Sequence, residues 1–223
     1  MRLHARQTEA TPAPRVGDDG TTTLALLLAG LAGWVDAIGV GSSNDVFLSF
    51  MSGNTTNLAL SLTHQDWARA KTIGAAVALF VAGVTFGELV RRWTGRLGQP
   101  LVLWLESFLL GAGAAFHWPG IGVQVSNTLW PLVFAMGLQN TSMRRVGGIN
   151  VGLTYVTGAL VQAGRALAGR GGGTAMRSLA LWLSLAIGAG LGAISLWISA
   201  LAALAAAAAA AATLGIIMAL VPP

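Results

Sequence analysis

Apolar residues come in long runs along this chain, and polar residues come in short groups between them. Six runs match or approach the length of a membrane-crossing helix: 22–43, 72–92, 100–117, 127–143, 178–197 and 200–221. A crossing needs about 20 apolar residues at the rise of an α-helix. Two further stretches, 46–62 and 150–164, are short for a crossing, and each is polar at its centre. If both cross, the chain has eight spans. If both dip in and return to the side they came from, it has six.

Charge separates the two topologies. Cytoplasmic loops of membrane proteins carry an excess of Lys and Arg. With the amino terminus inside, the eight-span layout puts Arg2, Arg6, Arg15, Arg69, Lys71, Arg165, Arg170 and Arg177 inside. Arg91, Arg92, Arg96, Arg144 and Arg145 are then outside. The six-span layout moves those five inside and leaves only Arg69 and Lys71 outside. The six-span layout fits the rule better. Its halves each contain three spans and one polar interruption after the first. Three is odd, so the halves would have opposite orientation in the bilayer. Glycine landmarks agree: Gly53 precedes Gly87 by the same 34 residues that separate Gly158 from Gly192.

Composition supports the membrane reading. Charged residues make up 9% of the chain, against about 25% in soluble domains. Mean hydropathy is +0.68. The net charge of +5 lies in the gaps between apolar runs, which fits topology signals rather than nucleic-acid binding. There is no Cys, and the three His are scattered, so neither a thiolate site nor a His cluster is available for a metal. No cofactor is expected. No enzyme motif is present: there is no P-loop, G-x-S-x-G or H-E-x-x-H. The first twenty residues read as a disordered cytoplasmic tail. Residues 21–223 read as one transmembrane domain, with repeat halves near 22–117 and 127–221.

Candidate chemistry sits at the two interruptions. Backbone inside a bilayer must be satisfied by protein or must line a water-filled cavity. "SFMSGNTTNLAL" (49–60) offers Gly53 as a helix break, followed by polar side chains. Ser52, Asn54, Thr55 and Asn57 are candidates for binding a solute or ion. "LTYVTGALVQAG" (153–164) offers Thr154, Thr157 and the break Gly158. Asp36 lies well inside the first span, where an ionisable residue usually faces a cavity or a partner. It can bind a solute or ion, or it can be a hydrogen-bonded lock with Asn54 or Gln139. Gln139 and Asn140, near the inner end of the fourth span, are candidates for lining an inner vestibule. Glu106 is about six residues inside its span, within snorkelling reach of the interface. Glu88 and Arg92 have the spacing of an i,i+4 ion pair.

The ordered motifs "GWVDAIGV", "MSGNTTNLAL", "AMGLQNTSMRR" and "TYVTGALVQAG" resemble those of the YoaK-like family of bacterial multi-pass membrane proteins. The resemblance covers about 24–200. Its matching positions are Asp36, Ser52, Gly53, Asn54, Gln139, Asn140, Thr157 and Gly158. It implies a bacterial cytoplasmic-membrane protein and supplies no substrate.

The expectation is therefore an all-α integral membrane protein. It has six transmembrane helices, two short broken or re-entrant helices, inverted three-helix repeats and both termini cytoplasmic. The expected function is transport of a small solute or ion through a site at the two polar breaks. The alternative is a non-transporting scaffold or sensor that binds a membrane partner or lipid. The lipid bilayer is a partner in either case, nucleic acid is not, and a second copy of the chain is a candidate.

Overall fold

The computed structural model describes residues 18–42, 46–117, 125–142, 156–169 and 172–220. The described residues form helices and short connections, without a strand. The helices are α1 (Asp18–Ser42), α2 (Met51–Thr63), α3 (Trp67–Thr94), α4 (Gly98–Phe116), α5 (Val125–Gln139), α6 (Val156–Ala168), α7 (Gly172–Ile198) and α8 (Ala200–Leu220). The tail expected over 1–20 lies outside the described residues as far as 17.

Four runs are long and apolar enough to cross a membrane: Thr22–Ser42, Trp67–Phe116, Gly172–Ile198 and Ala200–Leu220. The second contains both α3 and α4, divided by a short 3-10 turn at Gly95–Leu97. Gly95 opens that turn at φ +56°, a left-handed conformation that glycine adopts without a Cβ clash. A shorter apolar helix, Thr128–Gln139, lies within α5.

Side-chain contacts fix the relative directions of the helices. α1 and α7 run parallel: Gly30 meets Ser184, Gly33 meets Leu185, Trp34 meets Gly192 and Gly41 meets Leu196. α3 and α5 also run parallel, through Phe80 and Gly137, Gly83 and Phe134, and Gly87 and Thr141. α4 and α8 run antiparallel: the Ser107 hydroxyl donates to the Ala208 carbonyl, and Gly215 meets Trp104. α4 and α5 are antiparallel too, with Gly113 against Leu132 at one end and Gln99 donating to the Ser142 carbonyl at the other. α1 and α5 are antiparallel. Gln139, at the end of α5, donates to the carbonyl of Leu28 in the first half of α1. At the opposite rim, Ile38, Gly39 and Ser42 of α1 share a small cavity with Thr128, Leu129 and Leu132 of α5.

Glycine makes the closest of these approaches possible. A Cβ on Gly33 would strike the Leu185 carbonyl, and one on Gly188 the Gly30 carbonyl. On the other side, Gly83 lies against the Phe134 carbonyl and Gly137 against that of Phe80. All four fall inside 3.0 Å, a separation that real Cβ atoms essentially never show. Helix association in lipid depends on such small residues, because burial from water contributes nothing there. The buried core continues through Leu28, Ile38, Leu103, Leu110, Met136 and Leu204. α8 presents an alanine face to it: Ala203, Ala207, Ala208 and Ala211 are buried. Ser199 separates α7 from α8, and its hydroxyl accepts from the Ala202 amide to cap α8.

Candidate functional site

The chain is helical through Gly53 and Gly158, each in the first turn of its helix. Neither glycine is therefore where the helix breaks, which corrects the sequence expectation. In the first half the interruption is at Val46–Phe50, which is non-helical. Gly53 has a different role. A Cβ there would meet the Phe50 ring at 2.6 Å and the Phe47 ring at 3.0 Å. The missing side chain leaves room for those two rings to pack edge to face, with centroids 5.3 Å apart.

Two polar side chains, one from α1 and one from α2, hold this interruption. Asp36 Oδ1 accepts from the Leu48 and Ser49 amides, both at 2.7 Å, and Asp36 Oδ2 accepts from the Ser49 hydroxyl. Asn54 Oδ1 accepts from the Phe47 amide at 2.9 Å, and Asn54 Nδ2 donates to the Phe47 carbonyl at 2.7 Å. The amides of Phe47, Leu48 and Ser49 and the carbonyl of Phe47 are thus satisfied by side chains instead of by a helix, and the Ser49 carbonyl accepts from the Met51 amide. This is what low-dielectric surroundings demand of irregular backbone. Asp36 is a hydrogen-bonded lock, but its partners are Leu48 and Ser49, not Asn54 or Gln139. Ser49, fully buried, did not stand out in the sequence.

Removing the Asn54 clamp should be measurable. Asn54→Ala removes the partners of the amide and carbonyl of the half-buried Phe47. It is expected to destabilise the protein by about 1–3 kcal/mol and to lower its unfolding temperature in detergent. Thr55→Val should leave that temperature unchanged, because the Thr55 hydroxyl is exposed and donates only to the Met51 carbonyl of its own helix.

The remaining candidates do not converge on this cluster. Ser52 and Thr55 lie on the exposed face of α2, and Asn57 is half-buried. Thr157 is exposed on α6, and Thr154 lies outside the described residues. Gln139 is fully buried, and Asn140 Nδ2 donates to the Met136 carbonyl one turn back. The buried Gln139 is a core residue and does not line an open vestibule. Glu106 does not snorkel: it is 0% exposed. Glu88 and Arg92 do form their ion pair, at 3.3 Å. Trp34 Nε1 donates to the Ala203 carbonyl, tying α1 to α8.

A small cavity adjoins the lock. Gly39, Leu48, His117, Thr128, Leu132 and Leu204 line it, and it has room for about one water molecule. Among the described residues, no group of three or more His, Cys, Asp or Glu is placed to hold a metal ion.

The family described as protein of unknown function DUF1275 matches residues 24–219. The UPF0700 transmembrane protein RA0705 of Rhizobium meliloti (strain 1021) is 35% identical over 184 residues, which is 77% of this chain and 78% of that protein. The UPF0700 transmembrane protein YoaK of Bacillus subtilis (strain 168) is 28% identical over 154 residues, covering 66% of this chain and 68% of that protein. No solved structure matches the chain.

Proposed function

Since this chain belongs to the DUF1275 family, described only as proteins of unknown function, we propose a role from its own geometry: it is a small-solute or ion transporter or channel of the bacterial cytoplasmic membrane. The observation that carries this reading is the non-helical segment 46–50, held inside the fold by the Asp36 carboxylate. Asp36 is six residues before the end of α1, about 9 Å along the helix axis. Irregular backbone at such depth is a recurring feature of secondary transporters. The protein is membrane-embedded and, in this reading, not an enzyme.

Helix directions support six crossings. α1 ends and α3 begins at the same rim, so the segment between them, including α2, returns to the side it left. α5 ends and α7 begins at the other rim, so α6 does the same from the opposite side. The rule on positive charge then places both termini in the cytoplasm. The packing also supports inverted repeats. Exchanging α1 with α5, α2 with α6, α3 with α7 and α4 with α8 turns the set of packed helix pairs into itself. The register follows as well. Gly33 on Leu185 corresponds to Gly137 on Phe80, and Gly188 on Gly30 corresponds to Gly83 on Phe134. α1 and α5, equivalent under this exchange, are antiparallel, as inversion requires.

Thiol labelling tests the reading in this naturally cysteine-free chain. Ser52→Cys and Thr56→Cys are expected to react with a membrane-impermeant reagent from outside the cell. Ala159→Cys and Gln162→Cys are expected to react in inside-out vesicles. Protection of all four from both sides would put their polar faces against lipid or protein. The scaffold or sensor reading would then take first place, and the water-sized cavity beside Leu48 is the observation that already favours it.

A further inference from the structure

We propose that Glu106 is a buried proton-binding site, with Gln139 as its hydrogen-bond partner. Glu106 is fully buried in α4, and neither carboxyl oxygen has a hydrogen-bond partner among the described residues. Gln139 is fully buried in α5, and its Oε1 is likewise without a partner, while its Nε2 donates to Leu28.

Helix register brings these oxygens to one level. Gln99, Glu106 and Gly113 are seven residues apart and form one stripe along α4. Gly113 meets Leu132 and Thr128 of α5, and Gln99 donates to the carbonyl of Ser142, three residues past its end. The helices are antiparallel, so Glu106, midway along the stripe, is level with Ala135–Gln139. The core thus holds three carbonyl-type oxygens at one level without a partner, and one of the two Gln139 amide hydrogens is already given to Leu28. Unpaired buried acceptors are costly. One proton on Glu106 supplies the missing donor: the neutral carboxyl donates its O–H to Gln139 Oε1. On release, the proton goes to water and leaves a carboxylate.

Among the described residues, no cation is shown paired with that carboxylate; the nearest basic residue before α4, Arg96, lies in the 3-10 turn that precedes it. α5 and α8, which flank Glu106, contain no ionisable residue. α3 brings Arg91 to the inner end of α4, where its guanidinium donates to the Thr141 carbonyl. The other ionisable groups of α3 near that end, Glu88 and Arg92, pair with each other. α1 contributes Asp36, which is held by Leu48 and Ser49, and His117 lies eleven residues further along α4. Occupancy by a proton is therefore the state the packing accommodates. Loss of that proton must be coupled to a rearrangement that admits water or a cation. The proposal does not depend on the transport reading, because it concerns binding alone.

Infrared difference spectroscopy on the purified protein in lipid nanodiscs tests it. Expected is a protonated-carboxyl C=O band that disappears reversibly as pH rises and shifts on isotopic labelling of glutamate. That band should be lost in Glu106→Gln and displaced in Gln139→Met. The isotope experiment needs no substitution, so it stands even if Glu106→Gln fails to fold. A glutamate band unchanged across the whole pH range would mean a permanently protonated packing group and would overturn the proposal. Absence of the band at every pH would overturn it too, and a band unmoved by Gln139→Met would remove Gln139 from the site. Failure of the labelling experiment on α2 and α6 touches none of these readouts.

Discussion

Gly188→Leu is expected to leave no recoverable folded protein. Even a Cβ at this position would overlap the Gly30 carbonyl, and the rest of a leucine side chain has nowhere to go. Extra methylenes that neighbouring side chains can absorb cost about 1–3 kcal/mol. Here the obstacle is helix backbone, so α1 and α7 must separate along their length, with loss of the Ser184-to-Leu26 hydrogen bond. Gly83→Leu is expected to do the same to α3 and α5. Gly190→Leu is the control, because a Cβ there meets nothing within 4 Å. Fluorescence-detected size exclusion in mild detergent reads the result as presence or loss of a monodisperse peak. A normal peak for Gly188→Leu would mean that α1 and α7 do not touch backbone to backbone in the membrane.

Asp36→Ala is expected to have the next largest effect and to release residues 46–50. Three donors lose their acceptor at once: the Leu48 amide, the Ser49 amide and the Ser49 hydroxyl. Each buried group left unsatisfied costs about 1–3 kcal/mol. Hydrogen exchange of a peptide covering 46–50 should accelerate by orders of magnitude, while the peptides of α4 and α8 stay protected. Asp36→Asn should be far milder. Its carbonyl oxygen can still accept both amides, and the Ser49 hydroxyl can turn to accept from the new NH2 group. Slow exchange at 46–50 in the alanine variant would mean that the segment is held by something other than this carboxylate.

The sequence carried the long apolar helices, because a bilayer demands such runs and they are visible without any contact, whereas the expected span 127–143 holds only a shorter apolar helix, Thr128–Gln139. The expected span 178–197 sits inside Gly172–Ile198, and 200–221 corresponds to Ala200–Leu220. Gly87 and Gly192, the later members of the two spaced glycine pairs, both meet a neighbouring helix. The site was only half legible. Asp36 and Asn54 stood out as polar groups at membrane depth. Their partners are backbone groups of 47–49, and backbone donors have no letter in a sequence. Thr55 looked like a site residue for the same reason, yet it satisfies itself on its own helix and faces outward. Glu106 misled because distance from a span end was visible and the face it occupies was not. The stripe through Gln99 and Gly113 turns it toward α5.

The alanines of α8 carry a consequence for how the helix keeps its place. From Ala205 to Ala212 every residue is the same, so a slide of one turn would present identical methyls and identical carbonyls to α4. Such a surface is translationally degenerate, and it specifies that two helices lie together but not at what height. The height is set by Gly215, which accepts the edge of Trp104, and by Ser199, which ties α8 to the end of α7. Widening Gly215 would remove one of these two stops and leave a helix with several nearly equivalent resting positions. α8 is in this sense a smooth rod with a notch near one end and a tether at the other, and its alignment depends on both.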